Sequence, residues 1–192
     1  MEEILEKVQD FADRAHGDQM RKYTPERYIV HPVRVMKICQ NYSGDISVHA
    51  AALLHDVLED TPVTREEIRQ FLSELMTEPQ VAKTINLVIE LTDVFIKKDY
   101  PKLNRRKRKA LETDRLTKTS ADAQTIKYAD LIDNALDIIH HDPQFGRVFV
   151  YEAKTLLTAM RKGNDDLRQL AITTIDGCLD KLKRPGQKRA PV

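Results

Sequence analysis

The amino-acid sequence predicts an all-α fold, a compact helical bundle that forms a single domain over residues 1–183. Apolar residues recur at three- and four-residue spacing through most of the chain, which is the pattern of amphipathic helices. Runs of strand length that alternate apolar with polar residues do not stand out, and neither do internal repeats. With 192 residues, the chain is long enough to bury a core of its own. We expect residues 184–192 to form a flexible tail, because they are basic and rich in proline.

The first helices follow from this periodicity and from their end signals. An amphipathic helix opens the chain and ends near His16, and the polar segment after it is interpreted as an ordered loop. A second helix begins at His31, because the proline that follows is favoured in the first helical turn, and it continues to about Asn41. A third helix starts at Ile46, after a break that contains glycine.

The later helices are predicted in the same way. Thr64 begins a capping-box pattern and a short helix, and Pro79 begins the next one. After a loop with a basic tip, Pro101 begins a strongly charged helix. The remaining helices are predicted over residues 121–140, 145–160 and 165–182.

The stretch from Ala50 to Pro62 is the most informative part of the sequence. It begins as an apolar helix and then presents His55, Asp56, Glu59 and Asp60. If one helix continues through these residues, neighbours three and four apart bring the four side chains into a single patch. Three carboxylates are unfavourable at the negative end of a helix dipole, and a bound cation would relieve that repulsion.

Two further polar positions can complete a cation site. His31 stands at a helix start, where a capping role is the alternative, and Asp130 lies in an apolar helix, four residues before Asn134. A carboxylate in such surroundings is costly unless it is paired or bound to metal. The residues interpreted as metal ligands are His31, His55, Asp56 and Asp130. Two imidazoles and two carboxylates suit Mn²⁺, Fe²⁺, Co²⁺ or Zn²⁺, and the absence of cysteine ligands disfavours a structural zinc site.

Glu59 and Asp60 follow the proposed ligands by one helical turn. This position would let them orient an attacking water or transfer a proton. Clustered carboxylates raise one another's pKa values, which suits proton transfer near neutral pH. A pair of solvated charges before a turn is the alternative interpretation.

Charge and composition narrow the classes of function. The chain has 31 basic and 30 acidic residues, so its net charge of +1 does not favour nucleic acid or membrane as a partner. The basic run 105–109 lacks interleaved aromatic residues, and it is interpreted equally as a solvated face or as a means of attracting phosphate. Membrane-length apolar runs and a secretion signal are not found, and Cys39 and Cys178 are not a CxxC pair. These features indicate a cytoplasmic protein with free thiols.

The order of these motifs resembles that of the HD-domain metal-dependent phosphohydrolases. The resemblance is closer to the (p)ppGpp hydrolase domain of RelA/SpoT homologues, and especially to the small stand-alone alarmone hydrolases. The motifs that carry the resemblance are Arg21-Lys22, His31-Pro32, His55-Asp56, Glu59-Asp60, Pro101-Lys102-Leu103, Lys127, and Asp130 with Asn134. Arg27, Tyr128 and Asp133 depart from the family pattern. The resemblance implies a helical bundle of the HD-domain type.

The resemblance also implies an activity and roles for individual residues. The four ligands would bind Mn²⁺, and Glu59 and Asp60 would serve the hydrolytic water. Arg21, Lys22 and Asn134 would contact a phosphorylated nucleotide. The implied reaction removes the 3′-pyrophosphate of guanosine tetra- or pentaphosphate. The alternatives are a phosphatase acting on NADPH or another nucleoside phosphate, and a non-catalytic nucleotide-binding regulator on an HD scaffold. The oligomeric state is not predicted.

Overall fold

Ten α-helices account for most of residues 2–183, which are the residues that the computed structural model describes. In chain order they are α1 (Glu2–His16), α2 (Val30–Gln40), α3 (Ile46–Leu54), α4 (Val57–Asp60), α5 (Arg65–Ser73), α6 (Glu78–Leu91), α7 (Arg105–Leu116), α8 (Ala121–His141), α9 (Pro143–Ala159) and α10 (Asp165–Lys183). Strand pairing among these residues is limited to one isolated bridge between Met20 and Arg27. The all-α prediction is confirmed, whereas the predicted tail lies outside the described residues.

Local capping explains where several helices begin. Asp45 caps α3 by accepting a hydrogen bond from the Ser47 amide at 2.8 Å, and Thr64 and Glu67 form the predicted capping box of α5. The charged helix α7 does not begin at Pro101 as predicted. Its N-cap is Asn104, whose side chain accepts from the backbone amide three residues later.

The helix that contains Ala50 to Leu54 does not continue through His55 and Asp56, which corrects the prediction of one uninterrupted helix. The helix α3 ends at Leu54, and α4 begins at Val57. His55 Nδ1 lies 2.8 Å from the carbonyl oxygen of Ala52, the acceptor that the Asp56 amide would use in a continuous helix. The two residues of the His-Asp pair therefore form a junction between two helices.

Helices α3 and α8 form the centre of the molecule. All nine residues of α3 are buried, and it packs against α1, α2, α6 and α8. Helix α8 also packs against α2, α6, α9 and α10. Fully buried leucines such as Leu53 and Leu54 each contribute about 1.5–3 kcal/mol to this core. The packing brings the end of α3, the start of α2 and the middle of α8 together.

Within residues 2–183, the helices are all too short or too polar to cross a bilayer. The two thiols, Cys39 and Cys178, are free and buried.

Candidate metal centre

Three of the four predicted metal ligands form a compact group where α2 begins and α3 ends. His31 lies in the first turn of α2, and His55 and Asp56 form the junction between α3 and α4. One potential ligand atom from each residue lies within 4.8 Å of those of the other two. The relative exposures of His31 and His55 are only 1% and 3%, so the imidazoles approach the centre from inside the protein.

Asp130 approaches this group from the middle of α8. Its Oδ1 atom lies 3.2 Å from Nε2 of His31 and 3.8 Å from Nε2 of His55. Asn134 donates a hydrogen bond to the same Oδ1 at 2.6 Å, and the Lys127 ammonium lies 2.8 Å from Oδ2. All four residues that the sequence predicts as ligands therefore meet at one place in the fold.

The hydrogen bonds of the two imidazoles test whether a cation fits this centre. His31 Nδ1 lies 2.7 Å from Asp133 Oδ2, and His55 Nδ1 contacts the carbonyl oxygen of Ala52. Because these oxygens only accept, each Nδ1 is the donor, and in a neutral ring each Nε2 then carries a lone pair. Both lone pairs face carboxylate oxygens, and the buried Nε2 of His55 has no hydrogen-bond partner within residues 2–183. These donors suit a divalent transition metal.

The shifts in pKa around the centre also indicate that a positive charge between these residues is favourable. Burial lowers the pKa of His55, but Asp56 and Asp130 outweigh burial and raise that pKa to about 10. Burial raises the pKa of Asp130, but Lys127 and the two histidines outweigh it and hold this pKa well below its usual range. The pKa of Asp56 is likewise lowered against burial, chiefly by His55. A proton or a metal ion between these groups satisfies the same requirement.

Glu59 and Asp60 lie on α4, directly after the His-Asp junction, and their side chains are exposed at the rim of the centre. The Glu59 carboxylate accepts a hydrogen bond from the Asp93 amide at 3.1 Å. Asp60 accepts one from the Gln19 side chain, also at 3.1 Å. The two carboxylates thus have different partners. The helix that carries them restarts after Asp56, with the amides of residues 59 and 60 bonded to the Asp56 carbonyl oxygen.

The acidity of Glu59 is shifted although its side chain reaches the surface. Neighbouring atoms crowd the carboxyl group, and this desolvation, followed by the charge of Asp93, raises the pKa of Glu59 to about 7. Asp56 adds to the shift, and Lys127 opposes it. A carboxyl group with such a pKa can exchange a proton near neutral pH.

The three residues assigned to substrate by resemblance lie in different environments. The Arg21 side chain is 7% exposed and forms an ion pair with Asp137 at 2.8 Å, with Asp133 at 3.8 Å. Asn134 donates its side-chain amide to the Asp130 carboxylate, as described above. Lys22 is exposed, and its ammonium lies 2.8 Å from the Tyr23 hydroxyl. Of the three, Lys22 is the one that faces solvent.

Two residues that support the centre were missed by sequence reasoning. The Tyr28 hydroxyl donates to Asp56 Oδ2 at 2.5 Å, and Asp133 accepts from His31. Asp133 is three residues after Asp130 on α8, so the two share a helix face. That spacing is the signal that could have identified Asp133.

The class of protein is defined by an all-α domain with a His-Asp pair at a central helix junction. A histidine and an aspartate from two other helices complete the site. The HD domain family model matches residues 9–163, and the chain belongs to this family. The expectation of an HD-type bundle is confirmed.

Individual proteins that are similar to this chain share one described activity. The chain is 40% identical to the human guanosine-3′,5′-bis(diphosphate) 3′-pyrophosphohydrolase MESH1 over 139 residues, which cover 70% of this chain and 69% of the relative. It is 36% identical to the Xenopus tropicalis protein of the same name over 145 residues, covering 73% and 72%. A solved structure described as a metazoan ortholog of SpoT that hydrolyzes ppGpp superimposes with a TM-score of 0.73 and 27% identity, covering 93% of this chain and 94% of that one.

Proposed function

We propose that this protein is a metal-dependent hydrolase that removes the 3′-pyrophosphate of guanosine tetra- or pentaphosphate. The observation that carries the proposal is that two imidazole Nε2 atoms and two carboxylates meet at one position. The Nδ1 atoms of the same two imidazoles are already hydrogen-bonded to other residues. The named relatives support the choice of substrate, since they are 3′-pyrophosphohydrolases of the same nucleotide. For guanosine tetraphosphate, water would be consumed, and GDP and pyrophosphate would be released.

The residues that would hold the metal are His31, His55, Asp56 and Asp130. Mn²⁺ is the ion that we propose, because it accepts a mixed set of imidazole and carboxylate ligands. When bound, such an ion supplies Lewis acidity toward a phosphate oxygen and lowers the pKa of a coordinated water. Asn134 and Lys127 act behind this set by holding the Asp130 carboxylate.

Glu59 and Asp60 would act on the water from the rim of the centre. The raised pKa of Glu59 suits a group that takes a proton in one step and returns it in another. Its Asp93 contact holds the carboxylate at the rim, and Gln19 does the same for Asp60. Neither carboxylate is needed to complete the ligand set, so both remain available for proton transfer and for orienting water.

Lys22, on the loop before α2, is the exposed positive side chain that we expect to bind the phosphates. Lys22 follows directly after the buried Arg21, and its ammonium lies 5.4 Å from the centre of the Phe145 ring. The Arg105 guanidinium lies 5.3 Å from the centre of the same ring. Lys109, also on α7, contacts Asp93 at 3.0 Å and so connects the basic helix with the rim that carries Glu59. Arg105 is also paired with Glu152 at 2.7 Å, so both of these α7 cations already have carboxylate partners, and the basic helix is still interpreted equally as a solvated face or as a means of attracting phosphate.

Turnover of a nucleotide panel tests the proposal. The Mn²⁺-loaded protein would be incubated separately with guanosine tetraphosphate, NADPH and GMP, and the products would be separated by anion-exchange chromatography. We expect GDP and pyrophosphate from the first substrate. Orthophosphate from NADPH alone would instead identify a phosphatase. Metal binding without turnover of any nucleotide would favour a regulator.

A matched pair of histidine variants distinguishes loss of a metal ligand from a nonspecific effect of replacing a histidine. His55→Ala removes a proposed ligand, so it should lose Mn²⁺ binding and turnover together. His140→Ala removes an exposed imidazole on α8 and should retain both. Full turnover by His55→Ala would overturn the proposed role of the centre.

A further inference from the structure

Helix α8 presents three aspartates to the same region, at positions 130, 133 and 137. Asp130 belongs to the proposed ligand set, whereas Asp133 Oδ2 accepts from His31 Nδ1 at 2.7 Å and Asp137 binds Arg21. We propose that Asp133 is a positioning residue that fixes the tautomer and orientation of the His31 ring, and that Arg21, anchored by Asp137, holds Asp133 in place. This inference rests on the metal site of the proposed function.

The contact between Asp133 and His31 has the geometry that such a role requires. The side-chain exposures are 1% for His31 and 11% for Asp133, so water competes little for the bond. A proton on Nδ1 leaves Nε2 free to donate its lone pair, and Nε2 is the atom that faces Asp130 and Asp56. A carboxylate behind a ligating imidazole also increases its basicity, and loss of such a partner typically lowers metal affinity by about 10–100-fold.

The second imidazole provides an internal comparison. His55 Nδ1 is oriented by the backbone carbonyl oxygen of Ala52, which is neutral and which side-chain substitution does not remove. His31 is oriented by a charged side chain instead. A change at residue 133 should therefore perturb one imidazole of the centre and leave the other as it is.

Arg21 completes the arrangement from the loop before α2. Asp133 and Asp137 are four residues apart on a helix, where two carboxylates repel each other. The buried Arg21 guanidinium lies 2.8 Å from Asp137 and 3.8 Å from Asp133. Its positive charge therefore offsets the repulsion between the two carboxylates. Its role is then to position the centre, which differs from the substrate contact implied by the family resemblance.

The Asp133→Asn variant tests the proposal, because it keeps the shape of the side chain and removes its charge. We expect Mn²⁺ affinity, measured by isothermal titration calorimetry, to fall by about 10–100-fold. In the Zn²⁺-loaded protein, the Nδ1–H resonance of His31 should move in a ¹H–¹⁵N spectrum, whereas that of His55 should stay. Asp176→Asn, an exposed aspartate on α10, is the matched control and should bind Mn²⁺ like the wild type. Wild-type affinity together with an unchanged His31 resonance in Asp133→Asn would overturn the proposal.

Arg21→Met distinguishes positioning from substrate contact. A positioning role predicts weaker Mn²⁺ binding, and the double variant with Asp133→Asn should bind Mn²⁺ about as weakly as Asp133→Asn alone. Unchanged Mn²⁺ affinity with a raised KM for guanosine tetraphosphate would show that Arg21 contacts substrate and would overturn its assigned role. If Asp133→Asn does not fold, Asp133→Glu is titrated with Mn²⁺ instead, because it keeps the charge and changes the length of the side chain. Wild-type Mn²⁺ affinity and an unchanged His31 resonance in Asp133→Glu would overturn the requirement for the observed contact between Asp133 and His31.

The measurements of Mn²⁺ affinity and of the His31 resonance are independent of the substrate. A wild-type protein that binds Mn²⁺ but leaves guanosine tetraphosphate intact would refute the proposed reaction and leave the role of Asp133 standing. A wild-type protein that binds neither Mn²⁺ nor Zn²⁺ would overturn both.

Discussion

The Glu59 carboxyl group carries an energetic cost in the folded protein. Its pKa is raised from 4.5 to about 7, so folding disfavours its charged form. Between these two values the folded state binds more protons than the unfolded state, and the stability of the protein falls as the pH rises through this window. Desolvation by burial is the largest cause, the charges of Asp93 and Asp56 add to it, and the Asp93 amide and Lys127 act against it. A residue kept at such a cost fits a role in proton transfer.

Glu59→Gln should make the metal-free protein more stable than the wild type, by an amount that grows from pH 5 to pH 8. The glutamine oxygen can still accept from the Asp93 amide, while the cost of desolvating a charged carboxylate and its repulsion by Asp93, both of which appear above the unfolded pKa, are removed. Thermal unfolding at several pH values measures the difference. Glu66→Gln, on the exposed face of α5, makes the same change of charge away from Asp93 and is the control. A difference between Glu59→Gln and wild type that stays constant over this range would contradict the prediction.

At the level of the helices, the sequence predicts which elements form better than it predicts how they join. The residue types and order of the motifs identified four polar residues that the fold brings together. The interruption at His55 could not be predicted, because the apolar period is the same whether a helix continues or restarts after one turn. The partners of His31 and Glu59 lie on other elements, 102 and 34 residues away, so only the packing of those elements shows them.

The turn between α9 and α10 illustrates a position that packing alone determines. A β-carbon at Gly163 would lie 2.5 Å from Cε2 of Tyr128 and 2.8 Å from the backbone nitrogen of Thr125. The next residue, Asn164, donates its amide to Thr125 Oγ1 at 2.9 Å and caps α10 through Leu167. This turn is thus held against α8 with no room for a side chain.

Gly163→Ala should destabilise the protein by about 1–3 kcal/mol, because the added methyl group would force α10 away from α8. Chemical denaturation measures the loss. Gly177→Ala is a matched control within α10, where a β-carbon meets open space, and there alanine should be neutral or more stable by up to about 1 kcal/mol. Adding Tyr128→Leu should not restore Gly163→Ala, since the Thr125 backbone still obstructs it. Equal stability of the two alanine variants would contradict this account.

At the level of the whole molecule, the centre connects segments that are far apart in the sequence. His31 comes from α2, the His-Asp pair from the end of α3, and Asp130 from α8. These three helices pack against one another, and α8 also contacts α9 and α10. A metal ion bound by all four ligands would therefore restrain the helices that form most of the core, in addition to taking part in chemistry.

Mn²⁺ should raise the unfolding temperature of the entire protein, because the proposed site exists only when these helices are packed together. At a free concentration of one hundred times Kd, the stabilisation should be about 2.7 kcal/mol, and a chelator should reverse it. Thermal unfolding measures the shift, and hydrogen exchange should show added protection in α2 and α8 together. His55→Ala should lose the shift, whereas His140→Ala, which leaves the centre intact, should keep it. A shift of equal size in His55→Ala would place the ion elsewhere, and protection confined to one helix would mean that the ion does not connect them.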